Sequence, residues 1–142
     1  MRLDCGESSS SIRPLVFMAN TAVTSAPSSK IESGVEAAEK IMHLPQAPTA
    51  IFAVNDNTAI GALSGLMRMG LSVRGDVSLV GYNDIPIVGH LSTSLTTLRV
   101  PFEQIAENAL DLLGGEAIPP DDRIRVSAQT LIPRKSKRSI VL

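Results

Sequence analysis

Two Asn-Asp pairs follow apolar segments of the chain and carry the groups best suited to hold a small polar molecule. Asn55-Asp56 and Asn83-Asp84 each stand where a strand-like run ends. If those strands are parallel, their carboxyl ends share one edge of a sheet, where open α/β folds bind ligands. Asn offers a donor and an acceptor and ionised Asp only accepts, so hydroxyls or ring nitrogens fit better than phosphate. The predicted ligand-binding residues are Asn55, Asp56, Asn83 and Asp84.

Turn and cap formation is the simpler interpretation of the same four residues. Asn and Asp tolerate turn conformations and often cap helices. This local role would require no ligand at either pair. The occurrence of two pairs at equivalent positions of one sheet favours the ligand interpretation.

The other reactive residue types are scattered rather than grouped. His43 and His90 have no partner nearby in sequence, and Cys5, the single cysteine, excludes an internal disulfide. Gly61 and Gly65 fall inside a predicted helix, so the phosphate-binding patterns that need a strand-to-helix turn are absent. Glycines at this spacing instead favour close packing against a neighbouring helix. We expect no catalytic residue, no metal and no cofactor, and therefore no enzyme.

Composition and charge place the chain among globular domains. Of its 142 residues, 44% are hydrophobic and 19% are charged, which is enough apolar material for one domain with a core. The net charge of −1 argues against a nucleic-acid surface within these residues. No apolar run approaches the roughly 20 residues that cross a bilayer, and residues 1–6 lack the apolar core of a signal peptide. We therefore expect a cytoplasmic protein with no membrane partner.

Hydrophobic periodicity predicts that strands and helices alternate through the first part of the chain. This β-α-β-α-β order predicts two crossovers and a parallel sheet with flanking helices, a Rossmann-like α/β fold. The strands are expected at 14–19, 50–54 and 77–82, and the helices at 31–42 and 58–69.

Local signals mark the ends of these two helices. Ser29 with Glu32, or Ser33 with Glu36, would open the first helix as a capping box, and the sequence leaves both possibilities open. Gly70 suits the left-handed position just past the second helix.

Three further segments follow the third strand. A strand is expected at 95–98, a helix at 102–113 behind Pro101, and another strand in the alternating segment 123–132. The helix is apolar over a surface wider than this small sheet can cover, so we expect it to pack against something else. The expected domains are a disordered leader at 1–11, a partial domain at 12–133 and a solvated basic tail at 134–142.

Several linked motifs resemble the lactose/galactose-repressor (LacI/GalR) family of bacterial regulators. The similarity runs from about residue 15 to residue 133. The motifs are PTAIFAVND at 48–56, AIGAL at 59–63, GLSV at 70–73, DVSLVGYNDIP at 76–86 and LTTL at 95–98. The resemblance implies the C-terminal lobe of a type I periplasmic-binding-protein-like effector domain, in truncated form. Helix 102–113 would cross to the N-terminal lobe.

The resemblance also implies roles for individual residues. Asn55 would contact the ligand, and Asn83 stands where the family has a ligand-contacting Asp. The family's arginine comes from a segment upstream of this chain, and no aromatic residue lies in the loop 20–29, so we expect only the polar half of a site. A homodimer is expected through the second helix and the segment after the third strand. Its predicted interface residues are Ile60, Leu63, Met67, Ile87 and Leu91.

The leading functional hypothesis is an effector-binding and dimerisation fragment of a LacI/GalR-type transcriptional regulator. The effector would be a sugar or a similar small polar molecule, and DNA would be contacted only through a missing N-terminal domain. The alternative is half of a sugar-binding transport receptor with the same fold. The lack of an export signal favours the regulator.

Overall fold

The computed structural model describes residues 15–16, 24–25, 30–114 and 124–137. The predicted leader, 1–11, lies outside them. The strands are β1 Leu15–Val16, β2 Thr24–Ser25, β3 Ala50–Phe52, β4 Ser78–Asn83, β5 Thr96–Arg99 and β6 Thr130–Ile132. The helices are α1 Ile31–Met42, α2 Asp56–Arg68 and α3 Phe102–Gly114, with a 3₁₀ turn at Pro86–Gly89. None of these helices is both long and apolar enough to span a bilayer.

A four-stranded sheet forms the centre of the described residues. Its order is β3-β4-β5-β6, with β3, β4 and β5 parallel and β6 antiparallel to β5. The register pairs Phe52 with Val80 and Asn83 with Arg99, so the parallel strands end along one edge. Helices α1 and α2 pack against each other, and α2 packs against β4. The predicted α/β class with a parallel sheet and flanking helices is confirmed.

The first predicted strand, 14–19, does not belong to this sheet. Its described part, β1, pairs antiparallel with β2 in a separate two-stranded sheet, where Leu15 lies opposite Ser25. The expected β-α-β-α-β order is therefore wrong at its first strand. A segment close in sequence takes up the hydrogen bonds of β1, so the parallel part of the central sheet begins with β3.

The strand predicted at 123–132 is much shorter than its alternation indicates. Of the described part of this segment, only β6 pairs with β5, because β5 ends at Arg99 and offers backbone partners to residues 130–132 alone. Ile124 and Val126 lie before the paired part and are 76% and 84% exposed. An alternating sequence forms a strand only where a neighbouring strand is available for pairing, and β5 ends at Arg99.

Helices α1 and α2 approach closely because glycines face the neighbouring backbone. A Cβ added to Gly34 would collide with the Thr58 carbonyl, and one added to Gly61 would collide with the Ile31 carbonyl. Gly65 faces the same neighbouring helix. The prediction that Gly61 and Gly65 permit close packing is confirmed.

The capping box predicted for Ser33 with Glu36 does not open α1, and Ser29 of the other predicted box lies outside the described residues. The residue before the helix is Lys30, whose side chain makes no capping hydrogen bond. The Gly34 amide donates to the Lys30 carbonyl, so the helix begins at Ile31 and Ser33 lies inside it. Gly70 has φ of +75° just beyond α2, as its left-handed position requires.

The hydrophobic core joins α1 and α2 to β3 and β4. Its fully buried large side chains include Ile41, Leu66, Leu79, Val88 and Leu95. None of the residues of helix α3 is buried by the described part of the chain. Its large exposed apolar side chains are Phe102, Ile105, Leu110 and Leu113. The wide apolar surface expected from the sequence is therefore present and uncovered by the described residues.

Residues 134–136 dock against the sheet instead of forming part of a solvated tail. The Ser136 hydroxyl donates to the Leu79 carbonyl at 2.6 Å and accepts from the Thr96 amide at 2.7 Å. Arg134 donates from Nη1 to the Leu95 carbonyl at 2.9 Å. The prediction of a solvated terminus is wrong for Arg134 and Ser136, because they complete hydrogen bonds beside β4 and β5. Residues 138–142 lie outside the described part.

Candidate ligand-binding site

The second Asn-Asp pair forms a sharp turn at the end of β4. Asn83 has φ of 111° and Asp84 has φ of 59°. Such left-handed backbone is uncommon for residues with a Cβ, and Asn and Asp are among those that adopt it most readily. The turn places both residues beside Arg99, the last residue of β5. The local role considered from the sequence is thus present at this pair.

Two arginines hold the carboxylate of Asp84. Arg99 donates from Nε and Nη2 to Oδ2 at 2.7 Å, and Arg134 donates from Nη2 to Oδ1 at 2.7 Å. Burial alone would raise the pKa of Asp84, but the hydrogen bonds and charges of Arg134 and Arg99 outweigh it and lower that pKa below its ordinary value. Asp84 is therefore an ionised group that fastens two arginines at the edge of the sheet.

A cleft of about 450 Å³ opens between the ends of β4 and β5 and the start of α3. It combines amide, carboxylate and guanidinium groups with the ring of Phe102, which is 59% exposed. Small-molecule sites are commonly about 300–1,000 Å³ and join apolar surface to a few placed polar groups. The lining residues are Asn83, Asp84, Arg99, Val100, Pro101, Phe102, Glu103 and Gln104.

Six of the eight lining residues, among them Arg99, Phe102 and Gln104, were not predicted as site residues from the sequence. The signal for them was present, because they follow the motif at 95–98 and so stand at the carboxyl end of the third parallel strand. That same criterion selected the two Asn-Asp pairs. Phe102 supplies an aromatic face, so the cleft is more than the polar half of a site.

Asn55 caps α2 and is not part of this cleft. Its Oδ1 accepts a hydrogen bond from the Thr58 amide at 2.8 Å, which satisfies one of the unpaired donors at the start of the helix. The side chain is half-buried. The cap interpretation is observed at Asn55, and contact with a ligand at this residue stays a prediction.

Asp56 lies in the interior, where its carboxylate joins three parts of the fold. It has no exposed surface. Its Oδ1 accepts from the Thr97 hydroxyl at 2.7 Å, and its Oδ2 accepts from the Ile85 amide at 2.8 Å. Both oxygens are therefore engaged in this arrangement, and the carboxylate presents nothing to a ligand. Of the four predicted residues, only Asn83 and Asp84 line the cleft.

The predicted dimer residues differ in exposure. Met67 and Ile87 are 59% and 52% exposed, whereas Leu63 is buried in the core. Ile60 and Leu91 are partly buried and pack against the core. Dimer formation stays a prediction. A shallow depression of about 430 Å³ on α2 is lined by Ile60, Leu63, Ser64, Met67 and Arg68.

Comparisons with known proteins place these features in a family. Residues 9–137 match the family described as periplasmic binding protein-like domain. The chain is 44% identical over 82 residues to a lactose operon repressor from Rhizobium radiobacter, covering 58% of this chain and 73% of that protein.

Solved structures agree. A LacI family regulator from Enterococcus faecalis V583 with bound ribose has 27% identity and a TM-score of 0.67, covering 79% of this chain and 42% of that one. The lac repressor dimer bound to operator and the anti-inducer ONPF has 26% identity and a TM-score of 0.68, covering 78% of this chain and 39% of that one.

The chain thus spans about two fifths of these solved chains. The relatives are transcriptional repressors and regulators, which are not enzymes, and this agrees with the absence of a predicted catalytic site. The order of strands, the motifs and the family match all point to the same conclusion. The chain belongs to the LacI/GalR family of transcriptional regulators and corresponds to a part of their periplasmic-binding-protein-like effector domain.

Proposed function

We propose that this chain is the effector-binding and dimerisation part of a LacI/GalR-type transcriptional regulator. The observation that carries the proposal is the cleft at the carboxyl edge of the parallel sheet, which has the size of a small-molecule site. Asn83 would exchange hydrogen bonds with ligand hydroxyls, and the Phe102 ring would cover an apolar face of the ligand. Bound ribose in the Enterococcus faecalis relative supports a sugar or a similar polar molecule as effector.

A ligand in the cleft would contact the start of α3, so its binding could change the orientation of that helix. Helix α3 begins in the wall of the cleft and has no buried residue in the described part of the chain. A ligand that contacts Phe102 or Gln104 would favour one orientation of α3. In the complete regulator this bias would change the closure of the two lobes and the spacing of the DNA-binding domains. Such a regulator would act in the cytoplasm, contacting DNA through its N-terminal domain only.

A homodimer is the second part of the proposal. The exposed apolar side chains of Met67 and Ile87 and the depression on α2 support it. The dimeric lac repressor, which is similar to this chain in fold, supports it as well. Half of a sugar-binding transport receptor is the weaker alternative, because the relatives are repressors.

Titration of the isotope-labelled chain with ribose, glucose and galactose, followed by nuclear magnetic resonance, tests the ligand proposal. The described walls leave the cleft open, so we expect affinities in about the millimolar range. Shifts should concentrate at Asn83 and Gln104. Asn83→Ala should weaken binding several-fold, and the exposed Asn57→Ala on α2 should not. Shifts spread elsewhere, or none, would contradict the assignment of this cleft.

A further inference from the structure

Arg99 enters the cleft with much of its hydrogen-bonding capacity unused. Its side chain is 58% exposed at the end of β5, and it lines the cleft wall. Only Nε and Nη2 are bonded, both to Asp84 Oδ2. A guanidinium carries five N–H donors in a planar fork. Nη1 and the second hydrogen of Nη2 have no partner in the described ranges, so three donors of this cleft-lining side chain remain available.

Within the ion-pair cluster of Asp84, Arg99 and Arg134, the positive charge of Arg99 is only partly compensated. Asp84 accepts from two guanidinium groups at once, since Arg134 holds the other carboxylate oxygen. One negative charge therefore faces two positive charges within this cluster. Asn83, the next polar residue in the wall, is neutral. Arg134 is not among the residues that line the cleft, and Glu103, an exposed residue in the first turn of α3, adds a second carboxylate to its wall.

We infer that the effector carries an anionic group, a carboxylate or a phosphate, which the free donors of Arg99 bind. The inference rests on the function proposed above and specifies its ligand class. A planar guanidinium matches the two oxygens of such a group, and charge-assisted hydrogen bonds are stronger than neutral ones. Interpreted from the Asn-Asp pairs alone, the sequence disfavours phosphate. Arg99 reverses that expectation because it brings a guanidinium with unused donors to the same edge.

Phe102 and Asn83 complete the recognition of such a ligand. The ring of Phe102 covers the apolar face of a sugar, and the Asn83 amide reaches hydroxyls, while Arg99 fixes the charged end. Glu103 opposes the anion from the rim. Its removal should therefore strengthen binding of an anionic ligand and leave a neutral ligand unaffected.

Two matched series of ligands test the inference by nuclear magnetic resonance titration of the labelled chain. One series is glucose, glucuronate and glucose 6-phosphate, and the other is galactose, galacturonate and galactose 6-phosphate. We expect at least one anionic member to bind about tenfold more tightly than its neutral sugar, with shifts at Asn83 and Gln104. A preference for the uronates indicates a carboxylate ligand, and a preference for the 6-phosphates indicates a phosphate.

Three variants test whether Arg99 and Glu103 determine the preference for anionic ligands. Arg99→Met should remove the preference, Arg99→Lys should retain part of it, and Glu103→Gln should increase it a few-fold. Circular dichroism of each variant verifies folding, and the gain from Glu103→Gln cannot result from unfolding. Equal binding of neutral and anionic members at the cleft would overturn the inference that the effector is anionic, and it would leave the proposed function intact. An absence of cleft shifts with all six ligands would overturn the proposed function with it.

Discussion

Asp56 and Thr97 form a buried 2.7 Å hydrogen bond although 41 residues separate them in sequence. Both are fully inaccessible to solvent. The bond joins the start of α2 to the middle of β5, and the second oxygen of Asp56 holds the Ile85 amide. A carboxylate whose sequence position suggested ligand contact therefore ties together the elements that form the edge of the sheet.

Thr97→Val and Thr58→Val make the same isosteric change at two buried hydroxyls, with opposite expected results. Thr97→Val leaves an oxygen of Asp56 unpaired and should lower the free energy of unfolding by about 2–3 kcal/mol. The Thr58 hydroxyl has no hydrogen-bond partner in the described structure. Thr58→Val should therefore leave the free energy of unfolding unchanged or raise it by at most about 1 kcal/mol. Urea denaturation measures both; equal destabilisation would contradict the assignment.

Gly81→Ala should disturb the same bond from the side of β4. A Cβ on Gly81 would collide with Asp56 Oδ1 and lie 2.9 Å from Leu95 Cδ2. Overpacking of a buried position typically costs about 1–3 kcal/mol, and displacement of a buried carboxylate adds to this cost. Thermal unfolding provides the measurement. Gly114→Ala, which has no neighbour within 4 Å, is the matched control and should leave the melting temperature nearly unchanged.

Asn55 allows the cap to be separated from any contact with a ligand. Asn55→Ala removes the hydrogen bond to the Thr58 amide and should lower the free energy of unfolding by about 1 kcal/mol. Asn55→Asp keeps a good cap and should retain stability. If Asn55→Asp nevertheless weakens sugar binding in titrations, the predicted ligand role gains support; unchanged binding would remove it.

The Asp84 cluster predicts a defined dependence of stability on pH. Because the pKa of Asp84 is lower in the folded state, its pairing stabilises the fold above the ordinary Asp pKa of about 3.9 and is lost as pH falls through the lowered value. Asp84→Asn should therefore be less stable than the wild type at pH 7. The difference should shrink below about pH 4. A difference that stays constant from pH 7 to pH 3 would refute this role.

The dimer proposal predicts that a charge on α2 prevents self-association. Met67 is 59% exposed, and its substitution avoids the core contacts of Ile60. Met67→Asp should give a monomer by light scattering. Leu110→Asp, a change of similar exposure on α3, should leave the dimer intact. The reverse result would show that the uncovered face of α3 drives association instead.

Helices and the parallel sheet could be predicted because their signals are local. The spacing of apolar residues predicted 31–42, the observed span of α1, and placed α2 and α3 to within about two residues of their ends. The left-handed conformation of Gly70 could likewise be predicted, because it depends only on the end of the helix that precedes it. These features depend on the period of a helix or strand and not on distant partners.

The functions of individual polar residues could not be predicted in the same way. Asp56 is internal because Thr97 and Ile85 meet it, and Arg134 is docked because Asp84 and the Leu95 carbonyl accept its donors. Each partner lies 29 to 50 residues away, beyond any local pattern. The same limit hid Arg99 and Phe102, since their importance comes from the cleft they share with Asn83.

The docking of Ser136 also determines which backbone amide of the central sheet becomes exposed to solvent first when the structure opens locally. The Leu79 amide, within β4, donates to the Ser136 carbonyl at 2.8 Å, and the two residues are 57 positions apart. The Ala53 amide donates instead to the Val80 carbonyl inside the parallel sheet. A local opening that lifts residues 134–137 would free the Leu79 amide for exchange with solvent while the Ala53 amide stays protected. The hydrogen-exchange protection of this central strand thus depends on a segment far along the chain.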